Sequence, residues 1–385
     1  MRIVAGAIGL ALATGACGQG TAETPAKRAG PDTPAAATAT AATADAETPS
    51  QAAPPSVTRE FRDWQATCDN GNACSAFGFA PDYDAGWVRI HMPAGPDAEP
   101  EIAFGQWSED FAAKDIPALM IDGRSFRASR AGASDSGAPV GEITSGARAV
   151  IAAIAAAQSM EILAGDATAI SPDGASAALL WIDERQGRLG TRTALLRRGE
   201  RPATGVPAAP PLPALTPAPA ADQTGFGDDK QTLPASLRAL TAVQDCLAES
   251  EHSEWLLQNV MSARLDARTE LWAVPCGAGA YNVSHHWYLT GPGGGDPRPA
   301  DLLGSEGRRT GERAEVWPDN ATINGGYAPN ARTITAFSKG RGIGDCGTSQ
   351  TWLWTGRRFE LQAEQSMGHC AGVHWDYWPT TWRTR

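Results

Sequence analysis

The chain has 385 residues, with 32 Lys and Arg against 43 Asp and Glu, for a formal charge of −11. This acidic balance, without basic runs, excludes binding to nucleic acid through clustered cations. No run of ~20 apolar residues follows the first dozen positions, which excludes a polytopic membrane protein, and 42 Gly with 28 Pro point to many turns and linkers.

Met1-Arg2 is a minimal positive start, and residues 3–13 form an apolar stretch of signal-peptide length. Thr14-Gly15-Ala16-Cys17 follows, and small residues directly before a Cys resemble the bacterial lipobox. The resemblance implies cleavage after residue 16 and a diacylglyceryl group on Cys17, although Thr14 stands where that pattern usually has an aliphatic residue. Two or three acyl chains, at ~0.8 kcal/mol per buried methylene, anchor far more firmly than one. Gly18 fits sorting to the outer membrane. The alternative is an ordinary cleavable signal and a soluble periplasmic protein. Residues 17–57 are mainly Ala, Thr, Pro, Glu and Ser and predict a disordered tether.

A second Pro-rich tract at 200–229 divides the rest into domains at 58–199 and 230–385. In the first, β-type segments occur at 61–68, 75–79, 87–91, 102–107 and 118–122, and Asp69-Asn70-Gly71-Asn72 has the chemistry of a tight turn. Ala147, Val150, Ile151 and Ile154 predict a helix capped by Thr144 or Ser145. Ala175, Ala178, Leu179 and Ile182 predict another, with Ser171-Pro172-Asp173 as its cap. Short strands are expected at 160–163 and 193–197, and Asp183-Glu184 reads as a solvated helix end. The second domain opens with a helix over 234–248, then strands at 269–275, 286–289, 314–317, 333–337, 351–354 and 359–363. Nine of the 13 Trp fall here. The expected class is α+β: two domains of mainly antiparallel sheet with flanking helices, joined by a Pro-rich linker and stapled by disulfides.

Setting Cys17 aside leaves six cysteines: Cys68, Cys74, Cys246, Cys276, Cys346 and Cys370. Cys68 and Cys74 are placed for a local clip, and sequence proximity alone favours Cys246 with Cys276 and Cys346 with Cys370. In an oxidising periplasm these are expected as disulfides. The rival is a zinc site of Cys346, Cys370, His369 and His374, but the usual knuckle spacing is missing. No metal and no cofactor are expected.

Gly342-Ile343-Gly344-Asp345-Cys346-Gly347 matches the dinucleotide fingerprint, but strand-like sequence follows it where a helix N-terminus is needed. The glycines fit a tight turn that carries Cys346. Lys339, Arg341 and Asp345 on that loop are a candidate ligand-binding surface, weighed against a structural Arg–Asp pair. His285 and His286, adjacent on a strand, point to opposite faces. The Trp-rich tail from Trp352 to Trp382 is first a source of core area and only second a stacking platform. No hydrolase or metalloprotease signature is present.

The blocks Phe61-x-x-Trp64 with Cys68-Asp69-Asn70 and Cys74, Ser176 to Arg188, Cys276-Gly277-x-Gly279-Ala280-Tyr281-Asn282, and Lys339 to Gly347 occur in this order. Together they closely resemble the proteobacterial exported family known as domain of unknown function 1176, over roughly residues 60–383. That family brings an exported compartment but no activity to transfer. A weaker similarity links the first half to the invasion-associated locus B family through Trp64 with Cys68, Ile121-Asp122-Gly123, and Ser171 with Gly174. This chain lacks that family's second Cys pair. The expected function is a non-enzymatic envelope lipoprotein of the periplasm, anchored to the outer membrane and binding a protein, peptidoglycan or glycan component. The alternative is a periplasmic hydrolase with its site near Arg341, Asp345 and His369.

Overall fold

Short alternating segments and a supply of left-handed turn residues build the described residues mostly from antiparallel sheets with few helices. The computed structural model describes residues 54–81, 85–107, 117–133, 138–164, 166–251, 253–310 and 317–385. The leader, Cys17, nearly all of the tether and most of the strand expected at 314–317 lie outside the described residues.

The first half contains β1 (Val57–Phe61), β2 (Trp64–Cys68), β3 (Cys74–Phe79), β4 (Gly86–Met92), β5 (Glu101–Gln106), β6 (Ala118–Ile121), β7 (Arg124–Arg127), β8 (Arg130–Ala133) and β9 (Pro139–Ile143). Helix α1 (Ala147–Ala156), β10 (Met160–Ala164), β11 (Asp166–Ile170) and α2 (Ala175–Arg185) follow. Seven strands pair in the order β1-β2-β3-β4-β5-β9-β8 and four in the order β11-β10-β6-β7. Trp64, Ile90, Phe104, Ile151, Leu179 and Ile182 form the core between sheets and helices.

The single strand expected at 61–68 is broken at Arg62-Asp63, where Arg62 takes φ 57°. Ser171 Oγ donates to Asp63 Oδ2 at 2.6 Å, and the Asp63 amide donates to the Asp173 carbonyl at 3.2 Å. Ser171 and Asp173 thus tie down this turn, and α2 begins later, behind Gly174. Gly174 has φ 107°, and a Cβ there would fall 1.7 Å from the Phe61 carbonyl oxygen. Only glycine fits that crossing. Helix α1 likewise starts behind left-handed Gly146, not behind Thr144 or Ser145.

Asp183 departs most from expectation. It is fully buried, and its carboxylate accepts the amides of Leu195 (2.6 Å), Leu196 (2.8 Å) and Arg197 (3.2 Å). A carboxylate that captures three successive amides removes the donors a strand needs, so 193–197 is a loop. Arg188, also fully buried, donates to Gln186 and to the carbonyls of Pro93 and Gly95.

In the second half, the helix expected over 234–248 is two pieces, α3 (Ala235–Arg238) and α4 (Thr241–Ser250), separated where Leu240 turns extended. Nothing in the local sequence marks that break. Helix α5 (Glu254–Leu257) leads into β12 (Met261–Asp266), β13 (Thr269–Ala278), β14 (Val283–Thr290), β15 (Arg298–Pro299) and β16 (Ala321–Ile323), which form one sheet. The last sheet is β17 (Gly326–Ala328), β18 (Thr333–Lys339), β19 (Gly347–Trp354), β20 (Phe359–Met367) and β21 (Thr380–Arg383), paired in chain order.

The halves expected as separate domains pack within one compact unit spanning 51–385. Phe77, Trp87 and Val140 share an apolar cluster with Met367, Val373 and Trp378. The Pro-rich tract is tied to the folded body: Val206 is buried, the Ala218 amide donates to the Trp354 carbonyl at 3.0 Å, and the Arg385 amide donates to the Pro213 carbonyl at 3.0 Å. Three disulfides are present, Cys68–Cys74, Cys246–Cys276 and Cys346–Cys370. Among the described residues no helix is long and apolar enough to cross a membrane.

Burial makes this fold acid-sensitive. Desolvation, reinforced by Arg89 and Arg383, lowers His91 from 6.5 to about 3, and desolvation, reinforced by His285, lowers His286 to about 4. The unfolded chain therefore binds more protons below pH 6.5. Both groups contribute their full stability above pH 6.5, and that contribution is lost as pH falls toward 4 and then 3. The melting temperature should drop between pH 7.5 and pH 5, before ordinary carboxylates titrate appreciably. The drop should be smaller in His91→Gln; equal drops in the two proteins would contradict this assignment.

Candidate functional site

The last sheet carries an unusual face. In β18, β19 and β20, Ser338 pairs with Thr348 and Thr348 with Ser366. Residues directly opposite one another share a face, so three hydroxyls stand in a row across three strands. The adjoining row is Ala336, Gln350 and Glu364. Further along the same face the side chains turn apolar at Ile334 and Trp352, which join the core.

These rows floor a cleft of about 980 Å³. Its lining also takes in Thr58 and Glu60 of the edge strand β1, together with Trp317, Arg309 and Glu306. Ser338, Thr348 and Ser366 are half-buried, and among the described residues their hydroxyls have no hydrogen-bond partner. Beside them, Glu364 is 7% exposed and tightly held. It accepts from the Ser305 amide (3.1 Å), the Ser305 hydroxyl, Gln350 Nε2 (2.6 Å) and Thr381 Oγ1 (2.7 Å). No cation among the described residues forms an ion pair with it. The floor is therefore a fixed carboxyl and amide beside three open hydroxyls, each able to donate and accept.

The residues singled out from sequence sit differently. Arg341 Nε donates to Asp345 Oδ1 at 2.7 Å and its terminal nitrogen to Oδ2, while the Gly372 amide donates to Oδ2 at 2.7 Å. The hydrogen bond to Asp345 raises the already high Arg341 pKa. Asp345 is buried and its carboxylate is occupied by the loop that carries Cys346 to Cys370. Lys339 Nζ lies 5.9 Å from the Phe337 ring centroid. His369 stacks on Phe79 with centroids 4.4 Å apart, and its Nε2 is 3.5 Å from Glu60 Oε2, at the cleft. No hydrogen bond or ion pair joins His369 to Asp345 among the described residues. The trio expected for a hydrolase thus falls into two separate bonding sets. The glycine-rich stretch is a turn, and β19 follows it where a nucleotide site needs a helix.

His285 and His286 do face apart: His285 Nε2 approaches the Asn259 carbonyl at 3.2 Å, and His286 Nδ1 lies 3.2 Å from Cys246 Sγ. Trp352, Trp354 and Trp378 are core, each about 1% exposed. Sequence reading missed the cleft floor because Ser, Thr and Gln alternating along a strand are ordinary. Only the register across β18, β19 and β20 lines them up. The polar spacing Thr348, Gln350 and Glu364, Ser366 was the available signal.

Three comparisons relate the chain to other proteins. The Escherichia coli (strain K12) protein "Uncharacterized protein YpfG" is 29% identical over 349 residues, spanning 85% of this chain and 93% of the relative. The crystal structure of invasion associated protein B from Bartonella henselae aligns with 34% of this chain and 99% of its own, at 15% identity and a TM-score of 0.27. The family described as "Protein of unknown function (DUF1176)" matches residues 58–385, so the block order read from the sequence holds and the chain belongs to that family.

Proposed function

We propose that this chain is a non-enzymatic envelope lipoprotein, held at the outer membrane through Cys17, that binds a neutral glycan in the cleft. The carrying observation is the row of hydroxyls from Ser338, Thr348 and Ser366, without a hydrogen-bond partner among the described residues, beside the fixed Gln350 and Glu364. Neutral sugars present hydroxyls at similar spacing and exchange hydrogen bonds with such groups in both directions. Carboxyl groups of Glu60, Glu306 and Glu364 outnumber the cationic Arg309 in the lining, which disfavours phosphates and other anions. Trp317 supplies an aromatic surface in the same lining. The loop of Lys339, Arg341 and Asp345 supports the last sheet in this reading and does not contact the ligand.

The compartment rests on the leader sequence and on three disulfides, which persist in oxidising spaces. Mass spectrometry of the mature N-terminus should find a diacylglyceryl group on Cys17. An unmodified first residue would remove the anchor and leave a secreted protein.

The cleft is tested by calorimetric titration with oligosaccharides of N-acetylglucosamine and of glucose. Each hydroxyl contributes about 0.5–1.5 kcal/mol, so the triple variant Ser338→Ala, Thr348→Val, Ser366→Ala should lose roughly tenfold or more in affinity. Its melting temperature should stay nearly unchanged, because among the described residues these hydroxyls have no bonding partner. Failure of every sugar to bind, or a triple variant that binds them equally, would overturn the assignment.

A further inference from the structure

Away from the hydroxyl row, α4, β13 and β14 bring three metal-binding atom types together. The sulfurs of Cys246 and Cys276 and a ring nitrogen of His286 lie within 4.8 Å of one another. Among the described residues no other group of three His, Cys, Asp or Glu meets that spacing. His286 is fixed on β14 by its register with Val274, two residues from Cys276. Its Nδ1 is 3.2 Å from Cys246 Sγ and has no other hydrogen-bond partner among the described residues. In the structure the two sulfurs are bonded to each other. Cys246 lies on the buried side of α4, whereas Cys276 borders an open hollow of about 460 Å³ with Glu249 and Asn282. The disulfide therefore has one shielded sulfur beside an imidazole and one sulfur that an outside thiol can reach.

We propose that reduction of Cys246–Cys276 converts this corner into a zinc-type cation site, with Cys246 Sγ, Cys276 Sγ and His286 Nδ1 as ligands and water in the fourth position. Zinc–sulfur bonds of about 2.3 Å and zinc–nitrogen bonds of about 2.0–2.1 Å place tetrahedral donors roughly 3.3–3.8 Å apart. The 3.2 Å between Cys246 Sγ and His286 Nδ1 falls just short of that range, and Cys276 Sγ, within 4.8 Å of the ring nitrogen, has to part from Cys246 and settle at a ligand distance from both. Two thiolates and an imidazole are soft enough to prefer zinc over magnesium or calcium.

The reductant is an external dithiol. One of its thiolates attacks Cys276 Sγ, the Cys246–Cys276 bond breaks, and Cys246 leaves as the thiolate. The second thiol of the reductant then resolves the mixed disulfide and releases Cys276. The dithiol loses two electrons and two protons and becomes a disulfide, and the protein gains two thiols. Zinc binding then expels both thiol protons. Among the described residues neither of the other two disulfides joins a third ligand at this spacing, and both stay simple cross-links. This inference is independent of what the cleft binds.

The test uses the full chain carrying Cys17→Ala, treated with dithiothreitol, freed of it without oxygen, and titrated with Zn²⁺ against a chromogenic chelator. The reduced protein should bind one Zn²⁺ per chain and the oxidised protein none at this corner. The double variant Cys246→Ser, Cys276→Ser should lose that site under the same reduction, and His286→Ala should weaken it by about tenfold or more. Equal zinc uptake by reduced wild type and double variant, or by wild type and a folded His286→Ala protein, would overturn the proposal. Should the His286 variant not fold, the reduced wild type loaded with Co²⁺ decides the matter. Thiolate-to-cobalt charge-transfer absorption is expected, and its absence would refute the site.

Discussion

The interaction on which the rest depends is the seam between the Cys68–Cys74 hairpin and the final strand. Asn70 is fully buried, donates to the Arg383 carbonyl at 2.9 Å, and accepts the Arg383 amide at 2.9 Å. The Arg383 guanidinium meets Asp69, whose other oxygen already accepts the amides of Gly71 and Ala73. Hydrogen bonds to charged groups contribute about 1.5–3 kcal/mol each, and removing one buried partner strands the other. Below this seam, Trp87 donates to the Gly372 carbonyl at 3.1 Å, and its ring lies 5.1 Å from that of Tyr377. Tyr377 in turn donates to Glu142 at 3.0 Å. These contacts fix the first half over the last sheet, and the cleft exists because they do.

The distinctive blocks of the sequence serve this same purpose. Asp183 closes the 193–197 loop, Gln186 and Arg188 clamp the segment after β4, and Asp345 holds its own loop to Gly372. Asn282 donates to Lys339 at 3.0 Å and so links the third block to the fourth. A buried polar side chain that satisfies several backbone groups admits few replacements. The conspicuous motifs are therefore locks, and the residues facing the cleft are plain Ser, Thr and Gln.

Much of the architecture is legible from local pattern. The strands near 75–79, 87–91, 269–275 and 333–337 occur where alternation places them, both helices of the first half appear, and the disulfide partners follow sequence proximity. What fails locally is decided far away. Asp183 looks solvated until a loop folds onto it. Ser171 looks like a helix cap until Asp63 takes its hydroxyl. The Pro-rich tract looks like a free spacer, because prolines forgo donors, yet its carbonyls and apolar rings still find partners such as Arg385. The cleft is hidden for the same reason, since no single strand contains it.

The central claim is that the two halves of the folded region form one cooperative body. Urea unfolding of the oxidised chain, followed in parallel by Trp fluorescence and far-ultraviolet circular dichroism, tests it most directly. The account predicts a single transition with coincident midpoints. Two resolved transitions would show that the halves stand apart and that the seam does not build the cleft.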